Sequence, residues 1–211
     1  MLPIDGRGVL RFADERPAIS IDRTRYTYYP GTQEIPTNAA VKVLNRQHSI
    51  VADVEIPAGG AEGILLSHGG IDGGYSFYVK DGKLHWVHNY VSRALYHVES
   101  SENVLEGRHQ LGFEFEVTGK PDIANGKGSP GIAKLFIEGK LVGQVDVPVK
   151  NPLTFELGGG VTCGSAHKSP VTPDYQPPFK FTGKIYNVTV DVSGQLIKDK
   201  EAEMRIAMAR Q

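Results

Sequence analysis

The chain has 211 residues, with 23 lysines and arginines against 24 aspartates and glutamates, and a single cysteine, Cys163. Nearly balanced charge gives no surface for binding phosphates, so nucleic acid is not an expected partner, and one cysteine rules out an internal disulfide. No apolar run approaches the roughly 20 residues of a membrane helix, and the first residues lack the pattern of a secretory signal. We therefore expect no membrane partner and a soluble protein, with the cytoplasm as its default compartment.

The two ends of the chain differ from its middle. Residues 1–36 mix Pro, Arg, Asp and Tyr without a sustained period and are predicted to form an extended linker or docking arm. Tyr26, Tyr28 and Tyr29 are its candidate apolar anchors for another domain. Residues 193–211 are predicted to be a tail with a short helix, because strong helix formers fill positions 198–210.

Residues 37–192 are predicted to form one β-sandwich domain. The 25 glycines and 13 prolines of the chain separate short runs rich in Val, Ile, Phe and Tyr. In residues 49–56 and 110–117 apolar side chains take alternate positions, as in strands with one buried face. Asp81–Gly82 and Glu138–Gly139 suit hairpin turns. We predict an all-β fold with two antiparallel sheets, of the jelly-roll, concanavalin A-like kind.

Seven histidines raise the question of a metal site. His85 and His88 lie three residues apart in a predicted strand, so their side chains point to opposite faces and cannot bind one ion. If Ser92–Arg93 is a two-residue turn, His88 and His97 lie directly opposite each other. Two imidazoles without a third ligand make a poor zinc site. We therefore expect ordinary strand histidines, and no metal or other cofactor in this chain.

Two further patterns bear on catalysis. Cys163 lies among small residues with His167 four positions later, but a buried structural cysteine is the commoner arrangement. Glu114 and Glu116 share the strand face opposite Phe113, where a solvated acidic stripe is the ordinary case. The sequence therefore predicts no catalytic residue.

Aromatic and polar side chains concentrate between residues 75 and 96. Such a mixture can stack on a sugar and bond its hydroxyls, or bind a partner protein. Packing in the core is the competing use of the same rings. The candidate ligand or partner surface consists of Tyr75, Trp86, His88, Tyr90 and Arg93.

Six stretches of the chain resemble the C-terminal region of large bacterial arylsulfatases, in the order in which that family has them. They are LPIDGR (2–7), GAEG (60–63), GGYSFYVKDGK (73–83), LFIEGKLVG (135–143), PFKFTGKI (178–185) and EMRIAMARQ (203–211). In that family a separate α/β domain holds a calcium ion and a formylglycine made within a Cys-x-Pro-x-Arg type sequence. This chain has no such sequence, since Gly-Ser-Ala follows Cys163.

The resemblance implies a non-catalytic accessory domain, a fragment or a separately encoded tail, that packs on a sulfatase catalytic domain in cis or in trans. Calcium and formylglycine are then expected only in that other domain. The alternative is an independent carbohydrate-binding β-sandwich module, because sandwich folds often carry sugar sites on a concave sheet. A third possibility, a hydrolase with its own site on the sandwich, requires convergent acidic groups or a nucleophile with its base.

Overall fold

The computed structural model describes residues 23–152, 159–166 and 168–197. Most of the predicted N-terminal arm, the predicted C-terminal helix and His167 lie outside these residues. Within them the chain forms thirteen strands and one short 3-10 turn, Ile123–Asn125. The strands are β1 (Arg25–Tyr28), β2 (His48–Ile56), β3 (Gly63–Gly70), β4 (Gly73–Lys80), β5 (Lys83–Tyr90), β6 (Ala94–Asn103), β7 (Gly107–Val117), β8 (Gly131–Ile137), β9 (Lys140–Val147), β10 (Val161–Cys163), β11 (Ser165–Ala166), β12 (Phe179–Lys180) and β13 (Lys184–Asp191).

The strands build two main antiparallel sheets. The six-stranded sheet has the order β1-β13-β2-β7-β8-β9, and the five-stranded sheet has the order β10-β3-β4-β5-β6. Strands β11 and β12 pair separately as a small ribbon. The predicted all-β, two-sheet antiparallel sandwich is confirmed.

The core lies between the two main sheets. In β2 the alternate residues Ile50, Ala52 and Val54 are fully buried, which is the face that the sequence pattern predicted. Across the core, Trp86 of β5 stacks on Phe113 of β7, with ring centroids 4.6 Å apart and planes 17° from parallel. Each buried ring or aliphatic side chain stabilises the fold by about 1.5–3 kcal/mol. The two sheets are therefore held together mainly by burial of apolar surface.

The described part of the predicted arm belongs to the sandwich rather than to a linker. Strand β1 pairs along its whole length with β13, and the backbone of Ile35 exchanges hydrogen bonds of 2.9 and 2.8 Å with Val161. Tyr28 is buried in the core and Tyr26 is half-buried against it. The physical reason is that β13 would otherwise be an edge strand with unpaired backbone groups. Of the three candidate tyrosines, only Tyr29, which is 55% exposed, has the exposure expected of a docking anchor.

A second, smaller apolar cluster covers the outer face of the five-stranded sheet. It consists of Ile64, Tyr78, Val87, Ala166 and Tyr175, with Phe179 packed against it. Tyr175, from the loop before β12, and Phe179 of β12 supply the covering rings. Strands β3, β4 and β5 are consequently buried on both faces, whereas the sequence pattern led us to expect one buried face for each strand.

The hairpin turns explain how neighbouring strands are aligned. At Asp81–Gly82 both residues have positive φ, +51° and +73°, and Lys80 pairs with Lys83, so the predicted two-residue turn is confirmed. The turn between β5 and β6 differs from the Ser92–Arg93 turn considered above. Its positive-φ residues are Val91 (+42°) and Ser92 (+59°), and Tyr90 pairs with Ala94. The loop is one residue longer, which places Tyr96 and not His97 opposite His88.

Val91 is a costly residue for this turn. A β-branched side chain in the left-handed region is a conformational outlier, and such a strain costs of the order of 1–3 kcal/mol. Asn tolerates positive φ far better. We expect Val91→Asn to raise the free energy of unfolding by about 1 kcal/mol, as measured by urea denaturation.

Val51→Asn is the matched control, because Val51 has nearly the same exposure, 38% against 39% for Val91, but lies in strand β2. There the loss of a β-branched residue should lower stability. Equal destabilisation by both substitutions would show that backbone strain at Val91 is not significant.

Candidate functional site

The ligand surface predicted from the sequence does not form. Tyr75, Trp86 and His88 are buried between the sheets, with no more than 2% of any of them exposed. Tyr90 is half-buried and its hydroxyl donates to the carbonyl oxygen of Gly126 at 2.9 Å, while Arg93 is exposed in the turn after β5. The prediction was wrong because alternation along β5 turns Trp86 and His88 toward the core, so the competing use, packing, takes these rings.

His88 instead belongs to a buried basic group that also contains His48 and Lys150. The Lys150 ammonium group lies 3.9 Å from the centroid of the Phe115 ring and donates to the Val43 carbonyl at 3.3 Å. Burial lowers the pKa of Lys150 to about 7. Burial, followed by the nearby charge of Lys150, holds the pKa values of His48 and His88 well below their ordinary range.

The surroundings of Cys163, Glu114 and Glu116 do not favour a catalytic role for these residues. Burial raises the pKa of Cys163 to about 12, so its thiol is not a ready nucleophile at neutral pH. Glu116 forms an ion pair with Lys134, and Glu114 accepts a bond from Gln47 at 3.3 Å, on the outer face of the six-stranded sheet. Both glutamates therefore belong to a solvated polar face.

A polar group that the sequence did not reveal lies on the outer face of the five-stranded sheet. Three rings stack across adjacent strands: Tyr78 on His85, with centroids 4.9 Å apart, and His85 on His97, with centroids 5.3 Å apart. Glu99 lies on the same face of β6 as His97, and Asp174 lies in the loop before β12. We call Tyr78, His85, His97, Glu99 and Asp174 the outer cluster.

Hydrogen bonds fix the positions of these groups. The Tyr78 hydroxyl donates to Oδ2 of Asp174 at 2.7 Å. The two ring nitrogens of His85 lie 3.0 Å from Nε2 of His97 and 3.1 Å from the carbonyl oxygen of Lys80. Oε2 of Glu99 is 3.9 Å from Nδ1 of His85, which is beyond a hydrogen bond.

The protonation of the outer cluster follows from its surroundings. Partial burial opposes ionisation of Asp174, but hydrogen bonds from Tyr78 and Thr172 and the charge of Lys80 outweigh it. The pKa of Asp174 is therefore lowered. Burial, the largest influence on His85, lowers its pKa, so at neutral pH the cluster combines an ionised Asp174 with a neutral His85.

The loops beside the outer cluster are tied to one another. Nδ2 of Asn89 donates to the carbonyl oxygens of Ile71 and Val171, at 2.8 and 2.9 Å. The Ser169 hydroxyl accepts from the Ile71 amide at 3.0 Å. These bonds link the β3–β4 turn, strand β5 and the loop that carries Asp174. Beside these hydrogen-bonded loops, Leu95 lies on the same face of β6 as His97, and 45% of its surface is exposed.

The outer cluster is a set of polar groups beside loops that hydrogen bonds connect to one another. His97 is exposed and Glu99 has 51% of its side chain exposed, so both can reach a ligand.

Within the described residues no group of three or more His, Cys, Asp or Glu side chains is arranged to hold a metal ion. In the same part of the chain no helix is long and apolar enough to span a bilayer.

Comparison with known proteins places the fold. No protein-family model matches the sequence, and no curated protein is significantly similar to it. Among solved structures, the CBM40 module of Ruminococcus gnavus IT-sialidase, bound to α2,3-sialyllactose, has a TM-score of 0.50 at 15% identity, over 77% of this chain and 82% of that one. The leech intramolecular trans-sialidase in complex with 2,7-anhydro-Neu5Ac has a TM-score of 0.53 at 13% identity, over 85% of this chain and 27% of that one. At these identities the likeness shows a shared β-sandwich fold.

The buried Lys150 predicts an unusual dependence of stability on pH. Its pKa is about 7 in the folded state and about 10.4 in an unfolded chain, so between these values only the unfolded state holds the extra proton. Stability therefore rises with pH over this interval, by at most about 1.4 kcal/mol per unit. We expect Lys150→Met to remove this rise and to increase stability at pH 7, as measured by urea denaturation at pH 7, 8 and 9.

Lys42→Met is the control, because Lys42 is exposed. This substitution should leave the pH dependence of unfolding unchanged. An unchanged slope in Lys150→Met would mean that Lys150 is charged in the folded protein at pH 8 and that its burial is compensated by other groups.

Proposed function

We propose that this chain is a non-catalytic carbohydrate-binding β-sandwich domain, and that the outer cluster is its binding site. The observation that carries the proposal is the convergence of Asp174, from the loop before β12, on His97 and Glu99, which share a face of β6 with the exposed Leu95. Sugar rings offer hydroxyl groups in their plane and apolar C–H groups on their faces. A site with fixed polar acceptors and an adjacent apolar side chain suits both kinds of group.

The shared fold gives secondary support. The Ruminococcus gnavus module carries its sugar on a sandwich of the same general architecture. Because function belongs to a site and not to a fold, that likeness alone would not be sufficient. The tied loops around the outer cluster add a physical argument, since a rigid frame reduces the entropy lost when a ligand binds.

The resemblance to arylsulfatases supports a second proposal, that the chain is an accessory domain that packs on a sulfatase catalytic domain. The six matching stretches favour it. Two of its three proposed docking tyrosines, Tyr26 and Tyr28, pack in this domain itself, which leaves Tyr29 for a partner. Carbohydrate binding is the leading proposal because it rests on an assembled group of side chains. A carbohydrate-binding domain attached to a sulfatase would satisfy both.

The first test is binding to a panel of soluble polysaccharides and oligosaccharides, by affinity electrophoresis and calorimetry. We expect at least one member to bind, and His97→Ala and Asp174→Ala to weaken its binding by about tenfold or more, which corresponds to about 1.4 kcal/mol. Amide NMR shifts on titration should concentrate in β5, β6 and the loop that carries Asp174.

Glu114→Ala is the matched control, since Glu114 is a partly exposed carboxylate on the other sheet. Its affinity should equal that of the unmodified chain. Binding that is insensitive to His97→Ala and Asp174→Ala would refute the assigned site, and failure of the whole panel would refute the function. Turnover of an aryl sulfate by this chain alone would refute the non-catalytic role.

A further inference from the structure

The hydrogen bonds of the outer cluster assign the tautomers of its two histidines. Nε2 of His85 lies 3.1 Å from the carbonyl oxygen of Lys80. A carbonyl oxygen can only accept, so Nε2 of His85 carries the hydrogen. In a neutral imidazole the other nitrogen then has a lone pair, and Nδ1 of His85 is an acceptor. Burial lowers the pKa of His85 and so favours this neutral form.

The tautomer of His85 determines which nitrogen of His97 carries a hydrogen. Nδ1 of His85 lies 3.0 Å from Nε2 of His97, and because Nδ1 accepts, Nε2 of His97 donates. Nδ1 of a neutral His97 is then left with its lone pair. His97 is exposed on β6, the last strand of the five-stranded sheet, so this acceptor is open to a ligand.

The carboxylates beside His97 are acceptors as well. Asp174 is ionised at neutral pH and accepts hydrogen bonds from Tyr78, on Oδ2, and from Thr172. A carboxylate has about four acceptor positions, so it can accept a further bond. Glu99 has 51% of its side chain exposed. The nearby cation is Lys80, whose ammonium group lies 3.8 Å from the carboxylate of Asp81. The exposed side of the outer cluster therefore offers acceptors and negative charge.

We propose that the outer cluster selects an uncharged, hydroxyl-rich sugar and rejects sugars that carry a carboxylate or a sulfate. This inference rests on the proposed carbohydrate-binding function. Neutral sugar hydroxyls can donate to Nδ1 of His97 and to the carboxylates of Asp174 and Glu99, each of which can accept several hydrogen bonds. An anionic substituent there has no donor to bind and faces two carboxylates, and like charges at an interface are strongly unfavourable.

With this selectivity the chain would differ in specificity from the Ruminococcus gnavus module. The ligand bound to that module, α2,3-sialyllactose, carries a carboxylate. If the partner is a sulfatase, this selectivity implies that the domain binds the unsulfated product or an unmodified part of the polymer. The sandwich is common to both proteins, and the charge of the site decides the ligand class.

The test uses pairs of ligands that differ only in charge, at pH 7.5. The pairs are lactose and 3′-sialyllactose, and the sulfated and chemically desulfated forms of each polysaccharide that binds in the panel. We expect the neutral member of a binding pair to bind at least about tenfold more tightly, with little effect of added salt. The isosteric variants Asp174→Asn and Glu99→Gln should reduce this discrimination, while Glu114→Gln should leave it intact.

The tautomers of His85 and His97 can be measured without any ligand. Long-range ¹H–¹⁵N spectra at pH 7.5 should show His85 and His97 protonated at Nε2, and a His97 protonated at Nδ1 would overturn the proposal. Tighter binding of the anionic members, lost in His97→Ala, would keep the carbohydrate function and overturn the selectivity. Failure of every ligand would overturn both. Thermal denaturation of each variant verifies that it is folded.

Discussion

The stacking of Trp86 on Phe113 is the contact on which the rest of the arrangement depends. These rings come from the two main sheets, lie 4.6 Å apart, and are buried at the centre of the sandwich. Once Trp86 points inward, the pleat of β5 decides every other side chain of that strand. His88 must enter the core, and His85 must face outward, where it stacks on Tyr78. The outer cluster is therefore a consequence of core packing.

Sequence patterns predicted the parts of the fold that depend on short-range rules. Alternation predicted the buried faces of β2 and β7, and Asp81–Gly82 predicted the turn between β4 and β5. The turn between β5 and β6 escaped prediction because the first of its two positive-φ residues is Val91, a residue type that ordinarily avoids that conformation. That one additional turn residue decides which ring of β6 faces outward, so the partner of His85 could not be found from spacing alone.

The covering of the five-stranded sheet also lay beyond sequence analysis. The bond between Tyr78 and Asp174 joins residues 96 positions apart, and no local pattern predicts such a contact. A signal was nevertheless present. Residues 63–70 and 73–80 read as nearly continuous small and apolar runs rather than as alternating ones, which is typical of strands that are buried on both faces. The candidate surface was drawn from β4 and β5, but Tyr75, Trp86 and His88 lie on the side of the sheet that faces the core.

The sheet keeps two chemically opposite groups apart. On its inner side Lys150, His48 and His88 form a basic group that burial drives toward the neutral state. On its outer side Asp174 keeps its charge because hydrogen bonds from Tyr78 and Thr172 lower its pKa. A carboxylic acid that protonates a leaving group needs a raised pKa at neutral pH. The shift at Asp174 has the other sign, so this group is suited to accept hydrogen bonds from a bound ligand and not to donate a proton to it.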